Sequence, residues 1–167
     1  EPLVSIVIPN KDHTDDLEKC LSSVYEKSTY KNYEIIVVEN NSTEKKTFEY
    51  YEEAKSKYSR LSVINWESGF NYSAINNFAV ERASGDYILL LNNDIEVITR
   101  DWIEQMLMFA QRSDVGAVGA KLYYEDDTIQ HAGVVIGFGG YAGHVFHGIG
   151  RYDLGFMMRP RINCNYS

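Results

Sequence analysis

Short apolar runs alternate with amphipathic segments along the first 120 residues, and this alternation restricts the fold more than any other feature of the chain. Each apolar run has the length of one strand, and the segments between them space their apolar residues as helices do. The predicted strands cover residues 3–8, 33–38, 61–65, 86–91 and 115–120, and the predicted helices begin near residues 14, 44, 73 and 99. Strands separated by helices form parallel sheets, so we predict an α/β fold with a mostly parallel sheet flanked by helices.

Polar side chains follow four of these strands at the point where each strand ends. The clusters are residues 9–12, 39–41, 67–69 and 92–94. Sheets of this kind bind their ligands outside the carboxyl ends of the strands. We therefore expect the four clusters to converge on one edge of the sheet and to form the functional site there.

Asp94 and Glu39 are the carboxylates that most favour a ligand site. Asp94 follows a buried strand, and Asn92 stands two residues before it. Their oxygens suit Mg²⁺ or Mn²⁺, and Mg²⁺ usually takes one or two carboxylates together with substrate phosphates. Asp94 could instead cap the following turn. Glu39 could accept hydrogen bonds from a ribose or a base edge, or it could be a solvated turn residue. Lys11 could contact a phosphate or stay in solvent.

Several classes of function lose support from the composition and from the motifs. A net charge of −8 and a pI near 5.0 argue against sequence-independent nucleic-acid binding, which needs a basic surface. The sequence contains neither of the two common Gly-rich phosphate motifs, and it contains no nucleophile elbow. Cys20 and Cys164 have no metal-ligand spacing, and Cys20 is expected to be a small buried residue. No apolar run approaches the ~20 residues that a membrane helix needs.

The composition changes after residue 120. Residues 121–135 are typical of short strands, with a turn at 125–127. Eight of the twelve glycines lie between Gly133 and Gly155, which is typical of a long loop of the kind found beside active sites.

Four motifs occur in order along the chain: residues 4–9 (VSIVIP), 36–43 (IVVENNST), 69–71 (GFN) followed by 76–77 (NN), and 85–94 (GDYILLLNND). Together they resemble glycosyltransferase family 2, whose members are inverting enzymes with the GT-A fold. Residues 130–135 (QHAGVV) resemble the subgroup that includes rhamnosyltransferases and O-antigen-type transferases. The resemblance implies a GT-A-type, Rossmann-like α/β fold, and we expect this chain to be truncated at its C-terminal side.

The resemblance implies a role for each position that matches a family motif. Glu39 stands where the family usually has the Asp that contacts the base. Asp94 matches the last Asp of the family's D-x-D motif and Asn92 replaces the first, so these two residues would hold Mn²⁺ or Mg²⁺. His131 would border the acceptor side. The implied nucleotide-binding residues are Pro9, Asn10, Lys11, Asp12, Glu39, Asn41, Gly69, Asn76 and Asn93.

The implied reaction transfers a sugar from a nucleotide-diphosphate donor to a saccharide or lipid-linked acceptor, with inversion, in the synthesis of cell-surface polysaccharide. A divalent cation stabilises the charge that develops on the leaving diphosphate, and a general base deprotonates the acceptor hydroxyl. In the family that base is an Asp or Glu of the second half of the domain, which we expect beyond Ser167. We therefore expect this truncated domain to bind a nucleotide weakly at best, and to fail in acceptor binding and in turnover.

The same resemblance implies the organisation and the partners of the chain. Residues 1–120 would form the nucleotide-sugar-binding half, and residues 121–167 would begin the acceptor side. The catalytic domain is expected in the cytoplasm, at the inner face of the membrane where the full-length protein associates peripherally with it. No nucleic-acid partner is expected.

Three other functions stay open from the residues alone. A sugar-phosphate nucleotidyltransferase has a related fold, but it usually carries a Gly-rich basic loop after its first strand, which residues 9–12 do not provide. A non-catalytic nucleotide-binding module would fit Glu39, Asn92 and the missing base. A response-regulator-like signalling domain would need a paired acid near the first strand, for which Asp12 is a poor match.

Overall fold

Four parallel strands form the sheet of the N-terminal part of the chain. They are β1 (Val4–Asn10), β2 (Tyr33–Glu39), β3 (Leu61–Asn65) and β4 (Tyr87–Leu90), in the order β3-β2-β1-β4. Val4 at the start of β1 faces Tyr33 on β2 and Tyr87 on β4. β1 and β2 are almost entirely buried, as expected of parallel strands that are covered on both faces. The predicted α/β fold with a mostly parallel sheet is confirmed.

This computed structural model describes residues 1–163. The chain divides into two units: the first unit, Glu1–Ile103, contains the parallel sheet, and the second unit, Glu104–Ser167, contains two small antiparallel sheets. The functional division predicted at residue 120 is a different boundary, and it stays a prediction.

Three helices follow the first three strands. They are α1 (Thr14–Lys27), α2 (Lys45–Lys57) and α3 (Tyr72–Val80), whereas α4 (Trp102–Ala110) spans the boundary between the two units. Asn71 caps α3, because its side-chain oxygen accepts a hydrogen bond from the Ala74 N–H at 3.0 Å. Cys20 lies on the core-facing side of α1 and is fully buried, as predicted, whereas Cys164 lies outside the described residues. The apolar residues that α1 buries recur at helical spacing: Leu17, Cys20, Leu21 and Val24.

α3 covers part of one face of the sheet. Ile75 and Ala79 of this helix pack with side chains of β1 and β2 in one buried cluster, whose sheet residues are Val7, Ile36 and Val38. Full burial of an aliphatic side chain of this size contributes about 1.5–3 kcal/mol. The position of α3, and therefore of the loop that leads into it, is set by this packing.

The amino edge of the sheet is held together by Ser5 and Gly85. Ser5 Oγ donates to Glu34 Oε1 at 2.6 Å and accepts from the Gly85 N–H at 2.9 Å. A Cβ added to Gly85 would lie 2.7 Å from the Ser5 backbone nitrogen and 2.9 Å from the Leu3 carbonyl oxygen. Glycine is therefore required at this position because the backbones of two segments approach each other closely.

Two pairs of antiparallel strands lie in the second unit. β5 (Leu122–Tyr123) pairs with β6 (Ile129–His131), and β7 (Val134–Ile136) pairs with β8 (Ala142–His144). The short strands predicted within residues 121–135 and the turn at 125–127 are confirmed. Gly137, after β7, has a φ of +87°, a conformation that glycine adopts without steric cost. Many large apolar side chains here are exposed, such as Ile136 at 75% and Tyr141 at 91%.

Residues 115–120 do not form a strand, so the prediction of a fifth strand there is wrong. Within residues 1–163, the first strand after α4 is β5. Gly116 and Gly119 interrupt the apolar run, and a glycine has no side chain to pack against a neighbouring layer. Gly116, Ala117 and Gly119 are all exposed, so this run lacks the burial that strand formation requires.

Candidate functional site

The carboxyl ends of the parallel strands and the loops that follow them meet at one edge of the first unit. The Asn40 N–H, just after β2, donates to the Asn10 carbonyl of β1 at 2.8 Å. The Trp66 N–H, just after β3, donates to the Glu39 carbonyl at 2.8 Å. The Asn93 side chain, in the turn after β4, donates through Nδ2 to Asn10 Oδ1 at 2.7 Å. The expected convergence of the strand ends is confirmed by these bonds.

The loop after β1 contains the first predicted group, Pro9 to Asp12. Pro9 is half-buried within β1 and Lys11 is exposed. Asn10 is only 2% exposed, because β1 ends inside the sheet and not at its surface. Its amide group is fully engaged: Nδ2 donates to the Tyr51 hydroxyl at 2.8 Å and to the Asp12 carbonyl at 2.9 Å, and Oδ1 accepts from Asn93.

Asp12 fastens this loop to the start of α2. Its Oδ1 accepts from the backbone N–H groups of Thr43 and Glu44, each at 2.9 Å. The Glu44 N–H is the main reason that the pKa of Asp12 lies below its usual value, with further lowering from Thr43 and from the charge of Lys11. Asp12 therefore has a structural partner for its carboxylate in addition to the nucleotide role predicted for it.

Glu39 ends β2, and its carboxylate is 5% exposed and well bonded. Oε1 accepts from the Ser42 N–H, and Oε2 accepts from the Ser42 hydroxyl at 2.6 Å and from the Tyr51 hydroxyl at 2.6 Å. A carboxylate offers about four acceptor positions, so roughly one is left for a ligand. The alternative of a solvated turn residue is wrong for Glu39, because Glu39 is buried and its carboxylate is bonded to Tyr51 of α2.

Asn41 and Gly69 lie in the loops after β2 and β3. Asn41 Nδ2 donates to the Ser68 carbonyl at 2.9 Å, which ties these two loops together. The Gly69 carbonyl accepts from Trp66 Nε1 at 3.0 Å. A Cβ on Gly69 would meet nothing within 4 Å, so the space beside its backbone is open. Both residues are exposed.

Asn76 lies on α3 and is only 4% exposed. Its Nδ2 donates to the Tyr72 carbonyl at 2.8 Å, one turn earlier in the same helix. Its Oδ1 has no hydrogen-bond partner within residues 1–163. A buried amide oxygen without a donor is unfavourable, so Asn76 carries an unsatisfied acceptor on the buried side of α3.

Asn92 and Asp94 form the exposed part of the turn after β4. The Asn92 carbonyl accepts from the Cys20 thiol at 3.6 Å, and burial, together with the nearby charge of Asp94, raises the pKa of that thiol to about 12. The Asp94 carboxylate makes no hydrogen bond or ion pair within residues 1–163. Asp94 is thus held next to the strand ends, and both of its oxygens are free to bind a cation.

Residues 1–163 contain no group of three or more His, Cys, Asp or Glu side chains placed to hold a metal ion. One free carboxylate with a neighbouring amide suits a cation that takes its remaining ligands from a diphosphate and from water. Asp94 and Asn92 therefore fit Mg²⁺ or Mn²⁺ as the protein ligands of a cation that is completed by a diphosphate and water.

His131, the residue predicted for the acceptor side, belongs to the second unit. It lies at the end of β6, and its Nδ1 is 2.9 Å from Nδ1 of His144 on β8. Burial, and to a smaller extent the charge of His144, lower the pKa of His131. In this contact one ring nitrogen must carry the hydrogen and the other must accept it, so the tautomer of each ring depends on the other.

Tyr51 and Ser42 are members of the site that the sequence did not single out. Both contact the Glu39 carboxylate, and Tyr51 also contacts Asn10. Tyr51 stands next to Tyr50 on the buried side of α2, where aromatic residues usually belong to the core. Only the need of a buried tyrosine for a hydrogen-bond partner could have drawn attention to it.

The sequence pattern of the family described as Glycosyl transferase family 2 matches residues 5–159 of this chain. An uncharacterized protein of Sinorhizobium fredii, y4gI, is 45% identical over 99% of the chain, which corresponds to 18% of that relative. The O-antigen biosynthesis protein RfbC of Myxococcus xanthus is 45% identical over 87% of the chain and 11% of that relative. The chain thus spans less than a fifth of the length of either relative.

Solved structures resemble the fold at low sequence identity. A mannosyltransferase from Pyrobaculum calidifontis, in complex with GDP-Man and Mn²⁺, has a TM-score of 0.64 at 19% identity, over 70% of this chain and 34% of that one. Residues 1–349 of TarS from S. aureus have a TM-score of 0.56 at 18% identity, over 73% of this chain and 40% of that one. The expected GT-A-type fold is confirmed by these similarities.

Proposed function

The chain belongs to glycosyl transferase family 2, and from that premise we propose that its first unit binds the nucleotide-diphosphate sugar donor of a glycosyl transfer reaction. The observation that carries the proposal is the hydrogen-bonded edge of the sheet, where Asn10, Glu39 and Asn93 meet beside the free carboxylate of Asp94. Buried, satisfied groups supply a rigid frame, and exposed groups beside them are left to bind a ligand.

The nucleoside would bind along the loops after β1, β2 and β3, with Glu39 offering its remaining acceptor position to the base. Pro9, Lys11 and Asn41 would line the same pocket. Lys11 is exposed and cationic, so it is suited to a phosphate. Gly69 leaves open space for the ligand beside its backbone, and Asn76 offers a buried acceptor oxygen.

The diphosphate would lie near the turn after β4, where Asp94 and Asn92 would hold Mn²⁺ or Mg²⁺. The bound cation would stabilise the negative charge of the leaving nucleoside diphosphate. Asn93 keeps this turn in place by donating to Asn10. Because Asn92 supplies no charge, Asp94 would be the single ionic protein ligand, and cation binding would depend strongly on the nucleotide.

The acceptor would be a saccharide or a lipid-linked saccharide of a cell-surface polysaccharide, attacked with inversion, and His131 would lie on the acceptor side. The 45% identity to an O-antigen biosynthesis protein supports this class of product. The expectation that the general base lies beyond Ser167 stays a prediction, as does the lack of turnover. Residues 1–163 contain no helix with the length and apolar character needed to cross a bilayer. A cytoplasmic site with peripheral membrane association stays part of the proposal.

Calorimetric titration of UDP, dTDP and GDP, each with and without Mn²⁺, tests the donor site. One diphosphate is expected to bind in a Mn²⁺-dependent manner. Asp94→Ala should weaken that binding by about tenfold or more, since a lost charge-assisted contact is worth about 1.5–3 kcal/mol.

Asp86→Ala is the matched control, because Asp86 precedes the same strand at its opposite end and accepts from the Leu3 N–H at 2.8 Å. This variant should bind like the wild type. If no diphosphate bound to the folded wild-type chain, the donor site would be refuted. Equal losses in the two Asp variants would refute the role of Asp94.

A further inference from the structure

A continuous line of hydrogen bonds crosses the carboxyl edge of the sheet from β2 to the turn after β4. It begins at Glu39, passes through the Tyr51 hydroxyl to Asn10, and ends at Asn93. The donor–acceptor distances are 2.6 Å from Tyr51 to Glu39, 2.8 Å from Asn10 to Tyr51 and 2.7 Å from Asn93 to Asn10. Asn93 directly precedes Asp94, so the line joins the two ends of the candidate donor site.

The Tyr51 hydroxyl is the one group in this line that comes from a helix. It donates its only hydrogen to Glu39 and accepts from Asn10, so the direction of every bond is determined. Tyr51 is 4% exposed, and hydrogen bonds in such surroundings strengthen one another. Burial, with the hydrogen bond to the Glu39 carboxylate, raises the pKa of Tyr51, which keeps the hydroxyl protonated as a donor.

The length of the Glu39 side chain explains why this line can form. The carboxylate reaches the Tyr51 hydroxyl while it also binds the backbone and the hydroxyl of Ser42. An aspartate at this position would be shorter by one methylene, so it could not keep both sets of contacts without movement of the backbone. Glu39 and Tyr51 therefore act as a matched pair.

We propose that Tyr51 is a positioning residue that couples the nucleoside end of the donor site, at Glu39, to the diphosphate end, at Asn93. The ligand class is a nucleoside diphosphate, and the inference rests on the proposed function. Tyr51 does not touch the ligand. It holds the Glu39 carboxylate in place and orients the Asn10 amide, which in turn holds the turn that carries Asp94.

Tyr50 provides a matched control on the same helix. It is 7% exposed, and its hydroxyl is buried without a hydrogen-bond partner within residues 1–163. Tyr50→Phe and Tyr51→Phe thus remove the same atom from neighbouring buried rings, but only Tyr51→Phe breaks the line. Tyr50→Phe should leave nucleotide binding unchanged.

The experiment is a double-mutant cycle between Glu39→Gln and Asn93→Ala, read out by calorimetric binding of the preferred nucleoside diphosphate in the presence of Mn²⁺. In the wild-type background, the two substitutions should be non-additive by about threefold or more, as expected for members of one network. In the Tyr51→Phe background, the factors by which Glu39→Gln and Asn93→Ala each weaken binding should simply multiply. In the Tyr50→Phe background the non-additivity should persist.

Each outcome decides between the proposals. If the coupling survives Tyr51→Phe, the positioning role is refuted although the donor site stands. If the wild-type chain is folded and binds no diphosphate, the donor site itself fails, and the positioning role falls with it. A second cycle, between Glu39→Asp and Asn93→Ala, tests the same link without changing Tyr51, and these two substitutions should also be non-additive by about threefold or more. If the losses of affinity in this second cycle simply multiplied, the proposal would be contradicted even if Tyr51→Phe did not fold.

Discussion

The two units of the chain hold their polar side chains in different ways. In the first unit, buried parallel strands end at a common edge, and Asn10 and Glu39 stay 2% and 5% exposed because the sheet and α2 enclose them. In the second unit, strands of two or three residues carry His131 and His144, and large apolar side chains such as Ile136 and Tyr141 are exposed. Site residues on the first unit are held in place by a buried core, whereas those on the second unit depend on local contacts.

The largest expected difference between the units is in the free energy of unfolding that each loses when one isoleucine is replaced by alanine. Ile6 at the centre of β1 is fully buried, whereas Ile136 on β7 is 75% exposed. Ile6→Ala should lower the free energy of unfolding by about 2–5 kcal/mol through lost burial and a cavity. Ile136→Ala should change it by no more than about 0.5 kcal/mol. Urea denaturation followed by circular dichroism measures both, and similar losses would show that the second unit is also built around a core.

A glycine in each unit gives a smaller contrast. Gly85→Ala should lower the free energy of unfolding by about 1–3 kcal/mol, because the added methyl would overlap backbone atoms of Ser5 and Leu3. Gly116→Ala should be neutral or slightly stabilising, since nothing lies within 4 Å of the added Cβ and its φ is not positive. Thermal unfolding compares the two variants. A destabilised Gly116→Ala would mean that residues 115–120 pack more closely than their exposure indicates.

A fall in pH should lower the stability of the two units in different pH ranges. This is the smallest of the expected effects. The pKa of His131 is lowered in the folded chain, so the unfolded chain binds the proton more tightly and the second unit loses stability as the pH falls below about 6.5. The pKa of Asp12 is also lowered, from 3.8, but for a carboxylate the stabilisation is present above that value and is lost only as the pH falls below it.

Hydrogen exchange at pH 7 and pH 5, corrected for the intrinsic rates, separates the two responses. Protection of β6 and β8 should fall while protection of β1 is kept. His144→Gln should reduce the response, because it removes the charge that contributes to the shift at His131. Equal loss of protection in β1 and β6 would contradict the assignment of this effect to the histidine pair.

The parallel sheet and the meeting of its polar ends could be predicted because both follow from local patterns. Runs such as residues 33–38 are apolar throughout, and parallel strands place their carboxyl ends together whatever the side chains are. The contact between Asn10 and Asn93, which are 83 positions apart, follows from that rule. The predicted roles of the site residues in binding a ligand stay predictions.

The remaining features depend on tertiary contacts that no local pattern contains. Tyr50 and Tyr51 are adjacent and equally apolar in sequence, and only the packing of α2 decides which hydroxyl reaches Glu39. The pairing of His131 with His144 depends on how two separate hairpins are arranged within the second unit. The wrong prediction at residues 115–120 has a different origin. The apolar run there predicts a strand, but none of these residues is buried in the structure.

The engagement of both ends of the Asn10 amide limits how this protein can change during evolution. A change of Asn10 to Asp preserves shape and volume, yet it would place an acceptor oxygen against the Tyr51 oxygen, whose only hydrogen is already donated to Glu39. Such a variant becomes tolerable only together with a second substitution at position 39 or 51 that frees the hydroxyl hydrogen. We therefore expect substitutions at positions 10, 39 and 51 to occur in pairs. The present combination should persist until two of these positions change together.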